Sequence, residues 1–104
     1  MKQFDIVPNA SPRSRERQPY LAVLQSDLLT ENIDTIVVAP LEPASSRTFV
    51  DRLNPRVDVN GQRFVLVVQQ LTTVQKSALG KPCASIADNR AAIIAALDLL
   101  FTGF

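Results

Sequence analysis

The chain of 104 residues contains no histidine, one cysteine and three glycines. Each scarcity removes a class of chemistry. Without histidine there is no side chain that titrates near neutrality unaided, no Ser-His or Cys-His nucleophile pair, and none of the commonest metal ligand. The lone Cys83 cannot form an intrachain disulfide or build an ordinary zinc site. Gly61, Gly80 and Gly103 stand too far apart for a phosphate-cradling loop. No apolar run approaches the roughly 20 residues that cross a bilayer, and the opening residues, with one lysine and no apolar block behind it, do not read as a secretory signal. The expectation is one domain spanning 1–104, cytoplasmic, without membrane contact and without a cofactor.

Charge of one sign is also missing. Eleven basic and ten acidic side chains leave a net charge of +1, too small a field to draw the protein onto nucleic acid. The charges are unevenly spread, however. Arg13, Arg15 and Arg17 share one polar loop, and Asp27, Glu31 and Asp34 follow the next strand. Either these are solvated surfaces, or one of them meets an oppositely charged partner tail. Asp51 with Arg52 and Asp58 with Arg56 are carboxylate–arginine neighbours of a kind common on any surface, so a binding protein is expected rather than an enzyme. Cys83, placed before a helix, is expected to be a small buried hydrophobe, the alternative being a thiol of lowered pKa.

What is present reads as strands followed by one helix. Lys2 to Val7 alternates around Phe4 and Ile6 and ends at Pro8; Tyr20 to Gln25 is a second strand. Between them, Asn9 to Gln18 has no apolar residue larger than alanine and reads as an exposed loop. Leu28 and Leu29 form an apolar pair inside a polar turn, where at least one is presented to solvent. Thr35 to Ala39 is a β-branched run bounded by Pro40 and fits a central strand. Leu41 to Arg56 is broken by prolines, with room around Phe49, Val50 and Leu53 for one helical turn or a short strand. Asn60-Gly61, between Val57–Val59 and Gln62–Val68, is the strongest hairpin signal in the chain.

The segment from Ser85 to Phe104 has the clearest local signals. Ser85 is a suitable N-cap, Asp88 an acidic capping partner, and the four alanines at 91, 92, 95 and 96 favour helix. Ile86, Ile93, Leu97 and Leu100 recur at helical spacing, with Ile94 and Phe101 widening the stripe, so one broad face is expected to be buried. Thr102 and Gly103 then stop the helix, with Gly103 suited to a left-handed C-cap. Phe104 has two readings: periodicity favours an aromatic folded back onto its own core, and the alternative is that Phe101 and Phe104 lie on a surface covered by another protein. Strands joined by hairpins, with a single helix last, predict a mostly antiparallel sheet with the helix packed on one side.

Four segments in order carry a resemblance. Val23-Leu24-Gln25-Ser26-Asp27-Leu28-Leu29, Val38-Ala39-Pro40-Leu41, Pro55-Arg56-Val57-Asp58-Val59 leading into Gly61-Gln62-Arg63-Phe64, and Ala95 to Phe104 resemble the CcdB family of bacterial toxins. The resemblance implies a mainly β fold, a small SH3-like barrel with a C-terminal helix, assembled as a two-fold homodimer. It implies the toxin half of a toxin–antitoxin pair that binds the A subunit of DNA gyrase and traps the enzyme covalently joined to cut DNA. A CcdA-like antitoxin would neutralise it and repress the operon with it, so that DNA is met only through gyrase or the antitoxin complex. By position, the gyrase-binding residues implied are Leu28, Leu29, Asp98, Phe101, Thr102, Gly103 and Phe104. In the best-known plasmid-borne member a tryptophan stands at the position of Thr102 and an asparagine at that of Asp98, while Phe104 replaces a smaller aliphatic residue. An endoribonuclease of the same barrel fold is the alternative, as is a barrel that keeps antitoxin binding but no longer poisons gyrase.

Overall fold

The alternating stretches become strands of one antiparallel sheet in the computed structural model, which describes residues 1–104. In chain order the elements are β1 (Asp5–Pro8), β2 (Tyr20–Val23), α1 (Asp27–Thr30), β3 (Thr35–Pro43), β4 (Arg56–Val59), β5 (Gln62–Leu66), β6 (Thr72–Gln75), β7 (Ala84–Ser85) and α2 (Arg90–Thr102). The strands lie in the order β4-β5-β3-β2-β1-β7, with β6 also paired to β3, and curl into a nearly closed barrel with α2 as its one long helix.

β3 organises the sheet because one of its edges serves two partners. Thr35–Val38 pair with β6, and Leu41–Pro43 pair with β5. Pro40 falls between the two. Its carbonyl accepts from Val67 N–H at 2.9 Å, so its own nitrogen faces the same edge, where the partner changes and no ladder donor is needed. The strand therefore runs through the proline that the sequence suggested would end it. From Ala44 to Pro55 the chain forms turns, among them the single helical turn allowed for there, closed by Asn54 N–H on the Val50 carbonyl at 2.7 Å. Asn54 holds this stretch: its side chain accepts from Val50 N–H and donates to the Leu66 carbonyl and to Gln69 Oε1.

The β4–β5 hairpin is as expected. Asn60 and Gly61 take φ of 51° and 84°, the double positive φ of the tight turn that matches strand twist. Neighbouring residues of the strands face opposite sides, and both sides are apolar. On one side Phe4, Ile6, Ala22, Leu24, Ala39, Leu41, Phe64 and Leu66 join Ile86, Ile93 and Ala96 in the main core, where Tyr20 meets Phe64 edge-on at 5.4 Å. On the other, Val23, Ile36 and Val38 form a smaller cluster rimmed by Leu21, Val74 and Leu79. Phe4 is buried at a positive φ of 69°, unusual for a bulky residue, and is fixed there by its N–H to the Val23 carbonyl and its carbonyl to Ile86 N–H.

The terminal helix begins later than the expected Ser85 cap and Asp88 capping partner would place it, with Asn89 in the N-cap position and no side-chain cap bond. Ser85 closes β7, its hydroxyl accepts from Ala87 N–H, and a 3₁₀ turn at Ala87–Asn89 intervenes before α2 starts at Arg90. Of the apolar stripe only Ile93 and Ala96 of α2 are fully buried; Ile94, Leu97 and Leu100 are half-covered. The broad buried face is thus a narrow one, and the uncovered remainder borders the site described next. Two further expectations fail. Cys83 is exposed, because it lies in the loop entering β7 with only its backbone N–H engaged, to the Ile6 carbonyl. Phe104 does not fold back onto the core: Gly103 takes the left-handed C-cap (φ 82°) and directs it into solvent, 84% exposed.

Candidate interaction surface

Ser26 starts the surface. Its hydroxyl accepts from Leu28 N–H, opening the single helical turn α1. Thr30, buried, donates from Oγ1 to the Ser26 carbonyl and accepts from Gln25 Nε2 at 3.4 Å; Lys76 Nζ donates to the Thr30 carbonyl. Gln25 in turn accepts from Val37 N–H and donates to the Thr35 carbonyl, and Asp27 Oδ1 accepts from Gln3 N–H. Gln25, Asp27, Thr30 and Lys76 tie this turn to the barrel, yet its two leucines point out: Leu28 is 83% exposed and Leu29 54%. Burying such side chains is worth about 2 kcal/mol each, which the isolated fold does not collect.

Across from it stands the last turn of α2, where Phe101 is 69% exposed. Leu29 and Phe101 line the same groove, of about 340 Å³, floored by Leu24, Val37, Leu71 and Leu97. The structure thus brings together two of the implied contact residues. Asp98 and Thr102 are exposed on the same helix, where Thr102 Oγ1 donates to the Asp98 carbonyl at 2.7 Å. Gly103 N–H caps the Leu99 carbonyl at 3.0 Å, and Phe104 follows it outward. Leu28, Asp98, Thr102, Gly103 and Phe104 lie outside the groove lining.

The groove itself has no charge, no metal-ligating cluster and no paired acid and base. Elsewhere the carboxylate–arginine pairs differ from the sequence neighbours: Asp51 meets Arg56 and Asp58 meets Arg63, each at 2.9 Å and each largely exposed. A polar centre that sequence reading passed over is Glu42, whose side chain is fully buried in β3. Arg47 grips it with two bonds (3.0 and 3.2 Å), Gln18 Nε2 donates to it at 2.8 Å, and Arg17 stands at 3.8 Å. Burial alone would raise its pKa. The hydrogen bonds from Gln18 and Arg47, with the charges of Arg47 and Arg17, overcome this and hold it below the ordinary carboxylate value. In the sequence it lies beyond Pro40, between two prolines, and becomes an acid inside an apolar strand only because β3 runs on to Pro43.

The fold is thus a nearly closed β-barrel with one long helix and an uncharged apolar groove at that helix's end. The comparisons give it a family. The family model described as "CcdB protein" matches residues 3–103, so the chain belongs to the CcdB family, the toxins of toxin–antitoxin pairs. Among solved structures it is similar to an Mtb toxin (TM-score 0.70, 20% identity, covering 92% of this chain and 99% of the other). It is also similar to the Mycobacterium tuberculosis toxin MazF-mt6 (TM-score 0.70, 17% identity, 96% of each chain). At these identities the two structures speak for the fold. No curated protein matches the chain. No helix is long and apolar enough to cross a membrane.

Proposed function

We propose that the whole chain acts in the cytoplasm as a single-module, non-enzymatic gyrase poison. As a homodimer it binds the A subunit of DNA gyrase, traps the covalent cleavage complex, and is neutralised by a CcdA-like antitoxin with which it represses its own operon. The contact surface is Leu28 and Leu29 on α1 with Asp98, Phe101, Thr102, Gly103 and Phe104 at the end of α2. The observation that carries this reading is the exposure of Leu29 and Phe101 on one groove, with Phe104 fully presented beyond it. Apolar anchors grouped in this way are where binding energy concentrates.

Membership of the CcdB family supports the choice of target. With Thr102 in place of an indole, the aromatic area falls to Phe101 and Phe104, which are both exposed. The endoribonuclease alternative gains nothing from the electrostatics: Glu42, the carboxylate with a shifted proton affinity, is buried and held ionised, which makes it a poor proton acceptor. The test is calorimetric titration of the gyrase A subunit with this protein and with Phe101→Ser. Binding by the first and its loss in the second, with both proteins folded, supports the proposal; no binding by the first defeats it.

A further inference from the structure

Strand β4 ends the strand order, with β5 as its strand neighbour on one side and none on the other. The Pro55 carbonyl accepts from Leu66 N–H at 3.0 Å, and the register sets Val57 against Phe64 and Val59 against Gln62. In an antiparallel pair, residues that exchange backbone hydrogen bonds alternate with residues that do not. Pro55, Val57 and Val59 therefore turn their backbone groups to β5, and Arg56 and Asp58 turn theirs away from it. No backbone hydrogen bond from a turn or loop reaches the N–H or carbonyl of either residue. Their side chains are exposed on one face of the strand, while Val57 and Val59 are buried on the other.

An open edge of this kind is a template for another strand. Charged side chains on an edge usually block such pairing, because they set like against like. Here the charges have opposite signs and share one face, at the strand's period of two. When two copies of β4 are laid antiparallel about a two-fold axis through Val57, Arg56 of each copy falls opposite Asp58 of the other. These are also the residues whose free N–H and carbonyl groups then meet, so backbone hydrogen bonds and ion pairs form together. Sliding the register by two residues in either direction sets Arg56 against Arg56 or Asp58 against Asp58. The charges thus select one register. Within the chain Asp58 already meets Arg63 and Arg56 meets Asp51, each at 2.9 Å. Across the axis these pairs join into a row, Arg63 and Asp58 followed by Arg56 and Asp51 of the second copy, in which the sign alternates at every step.

We propose that the free edge of β4 is a self-association surface, and that its occupant is β4 of a second copy of this chain in the antiparallel register that pairs Arg56 with Asp58. The contact is isologous, with the same patch used by both copies. It shares no residue with the Leu29–Phe101 groove, and it stands whether or not gyrase is the target. If the chain is already a homodimer through another face, the β4 contact joins homodimers to one another.

The test is sedimentation velocity of the intact protein over a wide range of concentration at low ionic strength. A concentration-dependent rise in mass is expected, from protomer to pair or from homodimer to joined homodimers. Arg56→Asp and Asp58→Arg, each alone, set like charges opposite one another and should weaken the association about tenfold. Mixed in equal amounts, the two variants again place opposite charges at both pairs, and the association should return as a complex containing both. Asp58→Pro removes an outward N–H but no bond to β5, a change tolerated on a free strand edge, and it should abolish the association. No rise in mass, a rise that both charge variants leave untouched, persistence in Asp58→Pro, or loss in the single variants without recovery on mixing would each overturn the proposal. Thermal melts of each variant confirm that these exposed changes leave the fold intact.

Discussion

Leu29, on the single turn of α1, and Phe101, in the last turn of α2, line one groove while each remains more than half exposed. They lie far apart in the chain, and each is held by a different device. Ser26, Thr30 and Lys76 pin α1 to the barrel by hydrogen bonds; Ile93 and Ala96 seat α2 in the core. The two side chains are thereby presented without being used by the fold. Surface of this kind has a low cost to display and a high value when covered.

Leu29→Ser and Phe101→Ser should each weaken binding to the gyrase A subunit by ~2 kcal/mol or more, roughly thirtyfold, because truncating a central apolar anchor costs that much. Neither should lower the monomer's intrinsic stability by more than about 0.5 kcal/mol, since exposed positions contribute little. Calorimetry for binding and urea unfolding for stability separate the two effects. A large loss of stability from Phe101→Ser would place this ring inside the fold of the isolated chain.

Glu42 predicts how the protein responds to acid. Its pKa is lowered on folding, so in the window between its folded and unfolded values the unfolded chain binds more protons. Its contribution to stability is present in full above the ordinary carboxylate range and is lost as pH falls through the folded value. Urea midpoints measured from neutrality downward should decline in acid, and less steeply in Glu42→Gln. At neutral pH the same variant should be destabilised by about 1–2 kcal/mol, because Gln18 and Arg47 lose a charged acceptor in the buried position while Arg47, itself two-fifths exposed, stays solvated. A neutral-pH stability equal to that of the parent would contradict the role given to this cluster.

Gly61 tests the hairpin. At φ 84° with nothing within 4 Å of an added Cβ, the cost of a side chain there is conformational and not steric. Gly61→Ala should therefore lose about 1 kcal/mol, read from chemical unfolding. No loss would mean that the turn relaxes to another type.

The Asn60-Gly61 turn was legible in the sequence because its determinants are local, two residues needing positive φ between two β-rich runs. The antiparallel sheet, the terminal helix and the exposure of Leu28 and Leu29 were legible for similar reasons. What escaped depended on tertiary partners. β3 runs past Pro40 because a change of neighbour there makes the missing N–H harmless. Phe104 follows the rule of the αL cap and not the apolar period. The Glu42 cluster draws Gln18, Arg17 and Arg47 from two loops, a meeting no spacing announces. Cys83 was expected inside on its residue type and stands outside because its loop does.

The most direct measurement is a DNA cleavage assay with purified gyrase, ATP and plasmid DNA, in which covalent complexes are trapped with detergent. A gyrase poison working through the end of α2 predicts linear DNA when this protein is added and none when a folded form lacking Gly103 and Phe104 replaces it. Absence of linear DNA with the intact, folded, antitoxin-binding protein would contradict that function, and equal cleavage by the shortened form would contradict the assignment of the surface.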